Sequence, residues 1–323
     1  MTLKTLLAAA ATALLALPAA HAATPALDLS RYSLSATYSL DVLGERGLEA
    51  SAVTYARDRG TLFFVGDEGL GVVEVSRTGQ TIGSMAFDWT GTGSTHRDAE
   101  GLAYLGNGQL VVVDERPQVA YRFGYASGGT VVLNDQAKAA LTGSATSVGN
   151  VGTEGLSVDP RDGSFFSVKQ DNPAQLRQHT VSFAVGGGTS TNTVLLSGAS
   201  SVLGLNSLSD VQTLAGVDAL ARTAAADNLL LLSLDSLKLV EVTRTGTVLG
   251  ELDLSGLTAQ AIEGVTVDEH GVIYLVAEGF ESGGVYTPSQ LLVLSAVPEP
   301  QTYALLLAGL GVLGGALRQR RRA

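Results

Sequence analysis

The sequence predicts an all-β protein, a β-propeller of five blades, on three observations. A strand–turn–strand unit recurs along the chain, short turn residues join its strands, and carboxylates stand at its open ends. The unit is clearest at residues 98–104 and 109–116, two apolar runs separated by Gly106-Asn107-Gly108. The same pattern returns at 51–55 with 61–68, 154–158 with 164–170, 218–220 with 229–235, and 263–267 with 272–278. Anchors at 51, 100, 154, 218 and 263 lie 49, 54, 64 and 45 residues apart. A repeat of roughly 40–50 residues with four strands per unit is the signature of a propeller blade.

Each unit holds two further strands. Residues 71–75 and 81–87 follow the first core, and 237–242 and 247–252 follow the fourth. The hairpins Arg77-Thr78-Gly79 and Arg244-Thr245-Gly246 join them, the glycine supplying the positive φ of a tight turn. The long third spacing contains a Gly/Ser/Thr/Asn-rich stretch, 186–209, read as a loop. The last unit shows three strands, ending at 291–294, while 32–42 is a strand without a partner of its own. Pairing the two closes the ring and removes an exposed edge. A sixth blade within 130–151 or 186–209 is the alternative.

The chain divides into a processing segment at 1–22, a propeller body at 23–296 and a C-terminal segment at 297–323. Lys4, the apolar run 6–17 and Ala20-His21-Ala22 form the positive start, core and small-x-small cleavage site of an export signal. At the other end Pro298-Glu299-Pro300 precedes an apolar stretch, 302–317, and the cluster Arg318-Gln319-Arg320-Arg321-Arg322. That arrangement is a membrane-anchored tail with a cytoplasmic terminus. There is no cysteine, which excludes disulfides, zinc-thiolate sites and cysteine nucleophiles. Without Lys4, Glu299 and the four terminal arginines the body keeps 15 basic and 30 acidic residues, a net charge near −15. Such a surface disfavours nucleic acid and anionic lipid and favours cations.

First and second strands of a blade run in opposite directions, so the start of one and the end of the other share a face. The aligned first-strand residues are Ser51, Glu100, Glu154, Asp218 and Glu263, and the second-strand residues are Asp67, Glu115, Gln170, Asp235 and Glu278. Eight are carboxylates, which predicts two concentric acidic rings at one mouth of the channel. Three readings follow: the Glu-Gly pairs lock blade to blade, the rings hold a cation, or they serve catalysis. Like charges so close need a counter-charge. A hard divalent ion with oxygen ligands fits, and Ca2+ tolerates irregular geometry best. Arg116 and Lys169 are the internal competitors for neutralising the ring. His96, His179 and His270 lack the spacing of a metal pair, and no Gly-x-Ser-x-Gly, P-loop or dinucleotide fingerprint occurs. Asp58-Arg59-Gly60, residues 159–163 and residues 268–271 resemble short calcium loops but fall where hairpin turns belong. Trp89 and Phe87 are expected to pack at a blade edge.

The order of motifs resembles the SdiA-regulated family over about residues 32–294. The matching stretches are Ser51-Ala52-Val53 (Ser-Gly-Leu in the family), Asp114-Glu115-Arg116, Glu154-Gly155-Leu156, Lys169-Gln170-Asp171-Asn172-Pro173 (Lys-Glu-x-Asn-Pro), residues 248–252, and Glu263-Gly264-Val265 with 273–276. Gln170 and Ala52 depart from that pattern. The resemblance implies an exported or membrane-associated propeller. The C-terminus is similar to a PEP-CTERM sorting signal, which implies handling by signal peptidase and exosortase, transient anchoring, then release to the cell surface or matrix. The reading is a binding module for a surface or matrix component, with Ca2+ at the channel mouth and no nucleic-acid partner. A looser similarity to esterase-like phytases supplies the alternative, a metal-dependent phosphate- or carboxyl-ester hydrolase. Its ligands would be Glu100, Glu154 or Glu263, and its base Glu115.

Overall fold

The computed structural model describes residues 27–41, 43, 46–145 and 147–297. The export signal expected at 1–22 and residues 298–323 of the sorting segment lie outside them. Among the described residues no helix is long and apolar enough to cross a membrane.

Five antiparallel blades are present. Blade 1 runs through Ala50–Ala56, Thr61–Gly66, Gly71–Val75 and Thr81–Asp88. Blade 2 comprises Ala99–Gly106, Gln109–Asp114, Val119–Gly124 and Ala137–Ala140. Blade 3 is built from Thr153–Val158, Phe165–Lys169, Gln175–Ser182 and Thr189–Ser197. Blade 4 has Asp210–Thr213, Leu229–Ser233, Lys238–Val242 and Val248–Asp253. Blade 5 joins Ile262–Val267, Ile273–Ala277 and Gln290–Ala296 to the N-terminal strand Tyr32–Ser39. That strand pairs antiparallel with Gln290–Ala296, closing the ring as expected. Second strands such as Leu229–Ser233 and Ile273–Ala277 are buried throughout, while Val248–Asp253 alternates between exposed and half-buried. The inner strands are covered on both faces and the outer one on a single face.

Three expectations are corrected. Residues 186–209 are not one loop: they contain Thr189–Ser197, the outer strand of blade 3, and a short helix, Ala199–Leu203. The segments considered for a sixth blade, 130–151 and 186–209, instead complete existing blades: Ala137–Ala140 is the outer strand of blade 2 and Thr189–Ser197 that of blade 3. Thr130–Val132 pairs parallel with the end of blade 1, and Ala184–Val185, just before the second segment, pairs with Ala137 and Lys138 of blade 2. The first strand of blade 4 is Asp210–Thr213, not residues 218–220, which form a 3-10 turn.

The core is divided among the seams between blades, and inter-blade ties are polar as well. Gly79 and Gly246 take positive φ in the Arg-Thr-Gly hairpins. The arginine of each hairpin reaches the preceding blade: Arg77 pairs with Asp268 at 3.3 Å, and Arg244 with Asp159 at 2.8 Å. Both aspartates open hairpin turns and are fully buried, so the calcium-like loops at 159–163 and 268–271 are turns locked by arginine. His179 is buried against Ser167 at 2.8 Å; burial first, then the Arg177 charge, lowers its pKa to about 4. Phe87 and Trp89 meet edge to face at 5.9 Å in the blade 1–blade 2 seam.

Candidate functional site

The acidic mouth is made by β-bulges. In four blades the pairing of first and second strands slips by one residue, between Ala50 and Ala52, Ala99 and Gly101, Thr153 and Gly155, and Ile262 and Gly264. The extra residues are Ser51, Glu100, Glu154 and Glu263. A bulged residue leaves the ladder and its side chain is re-aimed. The glycine after each glutamate has a packing cause. A Cβ on Gly155 would lie 2.4 Å from Asp210 Oδ1, and one on Gly264 would lie 2.8 Å from the Ser51 carbonyl oxygen. Glu-Gly therefore encodes a side chain turned out of the ladder, followed by a close approach of two blades.

Six of the eight carboxylates read from the sequence come together: Glu100, Glu154 and Glu263 from the bulges, with Asp67, Glu115 and Glu278 from the ends of the second strands. Burial is the main cause that raises each of them, and for Glu100, Glu154, Glu263 and Glu278 the charge of the other clustered carboxylates adds to it. Glu100 and Glu154 are pushed well above the ordinary carboxylate range, and Glu263 up to about 8. Burial also raises Asp67, Glu115 and Glu278; the charges of Glu68 and Asp98 add to it at Asp67, that of Asp98 at Glu115, and those of Asp67 and Glu68 at Glu278.

Asp218 and Asp235 are not in this group. Asp218 is exposed in its 3-10 turn and receives two hydrogen bonds from Arg57 Nη2, at 2.8 and 3.0 Å. Asp235 is exposed one position beyond the ring, where the register of Asp210 with Leu232 puts Leu234 opposite the other blades' carboxylates. Ser209 is the first-strand counterpart in blade 4. Its Oγ accepts the Leu234 N–H at 3.1 Å, as Ser51 Oγ accepts the Asp67 N–H at 3.0 Å.

Two residues escaped the sequence reading. Glu49, at φ 52°, joins the cluster where Ser51 brings no carboxylate, and burial with the charge of Asp67 raises it to about 7. An acidic residue two places before the bulge was the available signal. Carboxylate oxygens of Glu49, Asp67 and Glu278 lie within 4.8 Å of one another. Oxygens bound at 2.3–2.6 Å on opposite sides of one Ca2+ would stand roughly 5 Å apart, so these three fit around a single ion. Asp67 Oδ1 is buried with no hydrogen-bond donor. The second missed residue is Asp210, in the place that glycine holds in blades 2, 3 and 5. It floors the mouth, accepting the N–H of Val211 and of Val265 of blade 5, each at 2.7 Å, and the N–H of Leu156 of blade 3.

Among the described residues none of the seven clustered carboxylates forms an ion pair. Arg116 is held by Asp98 and donates to Asn150 Oδ1 at 2.6 Å, while Lys169 donates to the Asp171 carbonyl. Glu115 also acts as a lock, its Oε1 accepting the Gly152 N–H at 2.7 Å.

Fold and site together define a five-bladed propeller with an acidic channel mouth whose seven carboxylates, among the described residues, form no ion pair. Comparison with known families places the chain further. The SdiA-regulated family model matches residues 30–279, and the chain belongs to that family. The PEP-CTERM protein-sorting motif matches residues 296–322, which implies export and exosortase-dependent sorting. Among solved structures, the chain is similar to the β-propeller domain of Cps50 (Swd1) from Myceliophteria thermophila. Identity is 13%, coverage 81% of this chain and 73% of that one, and the TM-score 0.37. A catalytically inactive virginiamycin B lyase from Staphylococcus aureus, solved with quinupristin, matches at 9% identity, with coverage of 77% and 66% and a TM-score of 0.39.

Proposed function

We propose that this protein is delivered to the cell surface or matrix and works there as a non-enzymatic binding module, with Ca2+ held at the acidic mouth. The observation that carries the reading is the triad Glu49, Asp67 and Glu278, with oxygens within 4.8 Å of one another and, among the described residues, no ion pair. A divalent ion would supply the missing charge, and the remaining carboxylates would tune its field. The ion would leave one side open to the channel mouth, where a carboxylate or sugar hydroxyl of a surface partner completes its coordination.

The hydrolase reading uses the same ion with Glu115 as general base. Glu115 is fully buried and its Oε1 already accepts a backbone N–H, which favours the non-catalytic reading. The test is melting of the purified protein with calcium against EDTA. Calcium at about a hundred times its Kd stabilises by about 2.7 kcal/mol, a rise of several degrees for a chain of this size. Superimposable curves would remove the cation. Hydrolysis of p-nitrophenyl phosphate or acetate that depends on calcium and is lost in Glu100→Gln/Glu154→Gln would replace the binding role with the enzymatic one.

A further inference from the structure

The other end of the channel opens into a cavity of about 900 Å3. It begins on the axis at Thr54, Gln212 and Thr266 and runs outward between blades 2 and 3. Its course follows from a missing hydrogen bond. Three residues after the bulge position, Thr266 Oγ1 accepts the Tyr55 N–H at 3.1 Å, Thr54 Oγ1 accepts the Tyr104 N–H at 3.2 Å, and Ser157 Oγ accepts the Thr213 N–H at 3.1 Å. Gln212 Oε1 accepts the Thr266 hydroxyl at 3.1 Å. Blade 2 has Ala103 at this position and makes no such bond to blade 3. The same seam has the thinnest core, seven buried apolar residues against ten to nineteen in the other four.

The opened seam is apolar, walled by Leu105 from blade 2 and Val158, Phe165, Val181 and Phe183 from blade 3. Phe165 and Phe183 meet edge to face at 5.8 Å. Outward, the strand Ala184–Val185 crosses onto blade 2, and Gly188 N–H bonds the Lys138 carbonyl at 2.7 Å. The space is therefore closed at the rim of the propeller and open toward the channel. Most charges lining it are already paired: Asp159 with Arg161 and Arg244, Glu269 with Arg77, Arg57 with Asp218. Asp58 accepts the Asn107 N–H at 2.9 Å. Arg122 is exposed on the blade 2 side, and among the described residues its side chain has neither an ion pair nor a hydrogen bond.

We propose that this cavity binds a small amphipathic anion, with its flat apolar body between blades 2 and 3 and its charged head on Arg122. The volume lies within the roughly 300–1,000 Å3 usual for small-molecule sites. The apolar seam supplies burial, and the guanidinium supplies orientation through a charge-assisted pair. The site is separate from the acidic mouth, with Asp210 between them, so its fate does not depend on the cation.

Two fluorescent probes test this on the purified protein: 1-anilinonaphthalene-8-sulfonate, an amphipathic anion, and N-phenyl-1-naphthylamine, its uncharged counterpart. One saturable site is expected for the anion. Arg122→Gln should weaken the anion about tenfold and change the uncharged probe less than about twofold. Phe183→Ser should weaken both. Because Arg122 is exposed, its variant should fold, and retained binding of the neutral probe verifies that it does. Absence of saturable binding to the unaltered protein overturns the proposal, as does an anion affinity in Arg122→Gln within about twofold of the original.

Discussion

At the far mouth Asp159, Asp218, Asp268 and Glu269 each pair with an arginine, whereas at the acidic mouth seven carboxylates form no ion pair among the described residues. The two ends belong to the same strands, so the contrast is local in origin. At the far end, hairpin turns project arginines across the seams. Burial pushes Asp159 up, but the hydrogen bonds of Arg161 and the charge of Arg161 and Arg244 outweigh it, and its carboxyl is lowered. At the acidic end, bulges turn glutamates toward one another; burial raises every member, and mutual repulsion adds to it at Glu100, Glu154 and Glu263. The far-mouth acids thus stabilise the ring of blades. The acidic-mouth acids, when ionised, oppose folding unless something positive joins them.

The partition between the two ends offers the largest test. Asp210→Ala leaves the N–H groups of Val211, Val265 and Leu156 buried without an acceptor. A loss of about 3–6 kcal/mol in urea unfolding is expected. A loss below about 1 kcal/mol would mean that Asp210 does not clamp the blades.

Next come the far-mouth locks. Arg77→Ala leaves the buried Asp268 without its cation, for about 2–4 kcal/mol. Arg244→Ala should cost less, about 1–2 kcal/mol, because Arg161 remains on Asp159 at 2.6 Å. The reverse ranking in parallel unfolding curves would break the account of these turns as locks.

The smallest effect sharpens the contrast through pH. Glu49 is raised to about 7 and Glu263 to about 8, from 4.5. A raised folded pKa gives stability that is fully present below the unfolded value and is lost as pH rises through the folded one. Without calcium the melting temperature should therefore fall between about pH 5 and pH 8. Glu100→Gln/Glu154→Gln should recover a few degrees at pH 8 and flatten the slope, roughly 1–2 kcal/mol in a chain of this length. A calcium-free protein whose stability rises over that interval would contradict the electrostatics of the mouth.

Much of this was legible in the chain. The repeat gave the blades, the partnerless strand at 32–42 gave the closure, and Glu-Gly marked the bulges at 100, 154 and 263. Blade 4 was misread because its first strand, Asp210–Thr213, is short and lacks Glu-Gly. Residues 218–220 imitated it ahead of the apolar run at 229. Asp235 was misplaced by a single residue of register, enough to send a strand residue to the other side. Glu49 was invisible to an alignment of equivalent positions because it substitutes for Ser51 from a different one. The seam cavity was hidden because Ala103 signals nothing until its hydroxyl-bearing counterparts are seen bonding to the next blade.

The sequence by itself determined the strands, the turns between them and the acids at their ends, since periodicity and turn chemistry act over a few residues. Only the tertiary structure decided which acids share a mouth. Closing the ring brings Glu49 beside Glu278, at opposite ends of the chain, and sends Asp218 to Arg57 at the other opening. Distance in a closed ring is set by register and by the bulge in each blade, and neither is written at any single position.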